Sequence, residues 1–63
     1  MMSLSQIEND KRVSSIERLS PEESDYKYYV WLNDGWMCDD GSHLICADSV
    51  SDINQQLKFV TEE

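Results

Sequence analysis

Sixty-three residues allow a single domain, and a core of that size rarely supplies more than about 3–5 kcal/mol without a disulfide, a metal or an oligomer partner. Five basic against thirteen acidic residues, a formal net charge of −8, argue against direct nucleic-acid binding, which needs clustered Lys and Arg, and against an anionic membrane surface. The same charge favours a basic protein partner, although it also serves plain solubility.

The opening Met1-Met2-Ser3-Leu4-Ser5-Gln6 has no basic stretch followed by an apolar one, and no apolar run approaches the roughly 20 residues of a membrane span. The expectation is a cytoplasmic protein with Cys38 and Cys46 reduced. Residues 1–25 read as a polar N-terminal segment, mobile over 1–10 and flexible or briefly helical beyond. Val13, Ile16 and Leu19 form a thin helical stripe. Ser20-Pro21-Glu22-Glu23 reads either as an N-cap with a first helical turn or as a simple turn.

Residues 26–63 read as the folded ββ(β)α domain, its body running from Tyr26 to Val60. Tyr26 to Leu32 is aromatic, β-branched and free of Gly and Pro, which predicts a strand. Asn33-Asp34-Gly35 predicts a tight hairpin turn of type I′, Trp36-Met37-Cys38 a short strand, Asp39-Asp40-Gly41-Ser42 a second turn, and His43 to Ala47 a third strand. Ser49 is the expected N-cap of a final helix, with Asp52 three positions on. Val50, Ile53, Leu57 and Val60 follow as its apolar stripe. The predicted fold is α+β: a three-stranded antiparallel β-meander packed by a C-terminal α-helix.

Pairing the strands through the two Asp-Gly turns places Tyr28, Val30, Leu32, Met37, Leu44 and Cys46 on one face. Tyr29, Trp31, Trp36, Cys38, His43 and Ile45 fall on the other, and a slip of one residue would exchange the sets. The helix can cover only one face, and the expectation is the aliphatic one. The aromatic face is then either lidded by the N-terminal segment or open as an interaction surface.

Chemistry-bearing constellations are few. A zinc site at Cys38, His43 and Cys46 needs convergence and a fourth ligand, but the predicted alternation turns Cys46 away. A Cys38–Cys46 disulfide fails on the same geometry. Cys38 with His43, oriented by Asp39 or Asp40, is the one nucleophile–base pairing, and it sits on a hairpin with no pocket-sized scaffold behind it. The expectation is a non-enzyme with no cofactor and no metal.

Between Tyr28 and Leu57 there is no Lys or Arg, while Asp34, Asp39, Asp40, Asp48 and Asp52 all fall there. The expected function is that of a small acidic protein-binding module, an inhibitor or accessory protein of the phage or mobile-element type. Anti-defence activity and mimicry of nucleic-acid charge suit such a protein. It would bind a basic, nucleic-acid-binding protein through Tyr29, Trp31, Asp34, Trp36, Asp39, Asp40, His43, Asp48 and Asp52. The alternative is a homo-oligomeric structural module, such as a homodimer, whose aromatic face pairs with its own copy.

Overall fold

The computed structural model describes residues 1–63. Its elements are α1 (Leu4–Glu8), β1 (Val13–Arg18), β2 (Tyr28–Leu32), β3 (Trp36–Met37), β4 (Leu44–Ala47), α2 (Val50–Leu57) and β5 (Thr61–Glu62). The fold is α+β: a three-stranded antiparallel sheet in the order β1-β2-β4, packed against α2 and the short N-terminal α1, with β3 and β5 forming a separate two-stranded ribbon.

Strand membership differs from the sequence reading in two places. The stripe Val13, Ile16 and Leu19 is not helical. Residues 13–18 pair with β2, and the ladder slips between Val13 and Ser15, leaving Ser14 as an extra residue. That bulge turns a period of two into a spacing of three, which imitates one helical turn. Trp36-Met37 is a strand, but its partner is β5 through Trp36–Glu62 and Met37–Thr61, so the middle of the sheet is β2 and the third strand is β4. The Ser20–Glu23 stretch is a turn, closed by the Glu23 and Ser24 amides on the Ser20 carbonyl at 3.0 and 3.3 Å.

The turn chemistry explains the ribbon. A type I′ hairpin requires positive φ at both central residues, yet only the glycines have it, Gly35 at φ 95° and Gly41 at φ 86°. Gly35 occupies the third position of a turn closed by Trp36 N–H on the Asn33 carbonyl, the place where a type II turn needs a glycine. The strand leaving that turn does not fold back on β2.

The core is a cluster of nine buried aliphatic residues: Ile7, Val13, Val30, Leu32, Ile45, Ala47, Ile53, Leu57 and Val60. Every element except the ribbon contributes, so the segment before Tyr26 belongs to the same core. α2 begins where predicted, with Ser49 Oγ accepting the Asp52 amide at 3.0 Å and Ile53 and Leu57 buried, but it ends at Leu57, so Val60 joins the core from beyond the helix. α1 closes with a full capping box. Ser3 Oγ accepts the Gln6 amide, and Gln6 Oε1 accepts the Ser3 amide at 2.7 Å.

Three polar clasps fix the N-terminal half. Arg12 grips both Asp10 carboxylate oxygens at 2.8 and 3.0 Å and donates to the Leu57 carbonyl at 3.0 Å. Asn33 Nδ2 donates to the Lys11 and Val13 carbonyls at 3.0 and 3.1 Å. The side-chain amide of Asn54 holds the Met2 backbone from both sides, its oxygen accepting the Met2 N–H and its nitrogen donating to the Met2 carbonyl, both at 2.8 Å. No helix is long and apolar enough to cross a membrane.

Candidate partner-binding surface

Both helices share the core on one side of the sheet, so the other side carries no covering element. Register defines what stands there. Val30 pairs with Ile45 and Tyr28 with Ala47 on the core side. The intervening pairs, Trp31 with Leu44 and Tyr29 with Cys46, therefore face outward. β1 adds Ser15 beside Trp31 and Glu17 beside Tyr29. Trp31 is 41% exposed, and its ring meets that of Tyr29 edge to face, centroids 6.3 Å apart at 79°. The Tyr29 hydroxyl reaches Ser24 Oγ at 3.4 Å, which orients the ring.

The two aromatic residues of β2 stand where alternation placed them. The assignment of β4 does not hold: Ile45 is buried in the core, and Leu44 and Cys46 are the outward residues. The sequence reading reaches β4 through the second Asp-Gly turn from Met37, a strand that β4 does not pair with. Ser15 and Glu17 were missed because the bulge hid the strand that carries them. Trp36 also leaves the expected face. It is half-buried against the core, with Lys11 Nζ 5.4 Å from its ring centroid. Cys38 likewise packs toward the core.

His43 is not part of the aromatic face. Its Nδ1 lies 2.9 Å from the Trp36 carbonyl and its Nε2 3.0 Å from Glu63 Oε1, so the ring ties β3 to the residue after β5. Half-exposed, this contact contributes little. Burial pushes the Cys46 thiol up from its ordinary value, with Cys38 adding to the effect, so it stands on the sheet as a neutral side chain.

The aspartates divide by occupation. Asp40 Oδ1 accepts the Ser42 amide at 2.9 Å, and hydrogen bonding from Ser42 holds its carboxyl below the ordinary value. Asp52 accepts the Asp48 amide and the Gln56 side chain, as a capping residue does. Asp34, Asp39 and Asp48 are exposed, and their carboxylates have no partner. The charge is uneven along the chain. Residues 1–27 carry four cations and six acids, net −2; residues 28–63 carry one cation and seven acids, net −6. The acidity thus belongs mainly to the chain from β2 onward, and the segment that carries α1 and β1 is nearer neutral.

No protein-family model, no curated protein and no solved structure matches the chain.

Proposed function

We propose that the chain is a protein-binding module that docks on a basic surface of a cytoplasmic partner, in the manner of a small inhibitor or accessory protein. The observation that carries this reading is the uncovered sheet face. A Trp and a Tyr stand in contact on it, within the half of the chain where a single cation accompanies seven acids. Aromatic anchors ringed by charge are the usual make-up of a protein interface. Trp31 and Tyr29 supply the apolar anchor, and Asp34, Asp39 and Asp48 the free carboxylates. A nucleic-acid-binding protein offers the matching surface, because its Lys and Arg are spaced for phosphates. Trp36 and His43 belong to the support of the β3–β5 ribbon in this reading.

The test is capture from lysate of the source cells on immobilised chain, eluted with a salt gradient and repeated with Trp31→Glu and with Asp34, Asp39 and Asp48 changed to Asn. Basic proteins that elute with salt and are lost in both variants support the reading. A captured set that neither variant changes, or no capture, overturns it.

A further inference from the structure

The two edges of the sheet are finished differently. Leu32 N–H bonds the His43 carbonyl, so by alternation Leu44 and Cys46 turn their backbone groups away from β2. Both of those outward carbonyls are occupied: Leu44 accepts Ser42 Oγ at 3.2 Å, and Cys46 accepts Gln56 Nε2 at 2.8 Å. On the opposite edge Leu19 N–H bonds the Lys27 carbonyl, which turns the N–H and C=O of Ile16 and Arg18 outward. No hydrogen bond in the structure meets either residue's backbone there. β1, the longest strand in the molecule, is an open edge.

We propose that β1 pairs antiparallel with β1 of a second copy, joining the two three-stranded sheets into one of six strands. A partner of the opposite charge is not what this edge fits, because residues 1–27, which carry β1, are net −2 while residues 28–63 are net −6. The strand matches itself instead. Centred on Ile16, the register sets Ile16 against Ile16 of the second copy, exchanging both bonds. Ser15 then stands against Glu17 and Ser14 against Arg18, with no like charges directly opposed. A two-fold axis through that pair keeps both cores on one side and both open faces on the other. One outward row then runs Leu44, Trp31, Ser15 and continues into Glu17, Tyr29 and Cys46 of the second copy. The half-buried Ile16 becomes covered, and a chain with nine core residues gains shared backbone bonds.

The experiment is molar mass by light scattering on the full chain up to about 1 mM, a range that reaches weak self-association. It is run at low and high salt, with backbone amide exchange recorded at both ends of the dilution series. Arg18→Pro removes an outward N–H that bonds nothing within the chain, and Glu17 before it is already extended, so the monomer tolerates it. Wild type is expected to double from 7.4 kDa, more readily at high salt, with Ile16 N–H exchange slowing about tenfold or more as the dimer forms. Arg18→Pro stays at 7.4 kDa, and Trp31→Glu still doubles. A wild type that remains monomeric at the highest concentration overturns the proposal. So does a dimer abolished by Trp31→Glu, which would place the contact on the open face. Ile16 exchange indifferent to concentration in a dimeric wild type also overturns it, and that readout stands even where a variant fails to fold.

Discussion

The guanidinium of Arg12 serves acceptors in two distant parts of the chain, the Asp10 carboxylate and the Leu57 carbonyl at the end of α2. It joins the turn before β1 to the end of the covering helix. Hydrogen bonds to a charged group contribute about 1.5–3 kcal/mol, so Arg12→Ala should lower the urea-unfolding free energy by about 2 kcal/mol. Its pH signature has a defined sign. The Arg12 hydrogen bond holds the Asp10 carboxyl below its ordinary value. A carboxyl depressed in the folded state stabilises the fold above the unfolded value, and that contribution fades as pH falls through the folded one. Wild type should therefore lose stability as the solution is acidified below the usual carboxylate range. Asp10→Asn, measured by the same titration, should start lower and fall less. At Gly35, with φ 95°, an alanine has open space for its Cβ but not the backbone conformation. Gly35→Ala should cost about 1–2 kcal/mol in the same assay.

The same bulge that hid β1 defines the prediction at the scale of an element. Val13 pairs with Leu32 and Ser15 with Trp31, consecutive partners on β2, so Ser14 is surplus to the ladder. Deleting Ser14 leaves Val13 facing the core and Ser15 facing outward, and should cost about 1 kcal/mol or less. Deleting Glu17 instead exchanges the faces of the residues before it and should unfold the chain, as circular dichroism would show. The contrast explains what the sequence discloses. α2 is legible because Val50, Ile53 and Leu57 keep one helical period and Ser49 caps it, while Val60, the last of the expected stripe, lies past the helix end. β2 is legible because its alternation is unbroken, and that is why Tyr29 and Trp31 were found. β1 is illegible because one inserted residue changes its period. Leu44 and Cys46 were misplaced because a turn read locally does not say which strand receives the next one. Long-range pairing through β5 carries no local signal at all.

For the whole molecule the small core and the charge act together. Ile53 is fully buried within a cluster of nine. A buried Ile→Ala change costs about 2–5 kcal/mol, comparable with all that a core of this length supplies. Ile53→Ala should therefore be largely unfolded by circular dichroism at neutral pH. At a net charge of −8, self-repulsion opposes compaction and is screened by salt. The thermal midpoint of dilute wild type should rise by a few degrees between low and high salt, about 4–8 °C for each kcal/mol recovered in a chain of this size. A midpoint that falls with salt would mean that ion pairs such as Arg12–Asp10 outweigh the repulsion.

The Asn54 clasp has a consequence for how the sequence can drift over time. Its hydrogen bonds hold Met2 through the main chain. Natural variants of this protein should keep an apolar side chain at position 2, because that of Met2 packs against the core, and reject proline, which has no N–H to give. Position 54 should stay an amide of that length, since it needs an acceptor and a donor side by side. Two positions that meet in space would then evolve under different rules, one held by apolarity and the other by its hydrogen-bonding pattern.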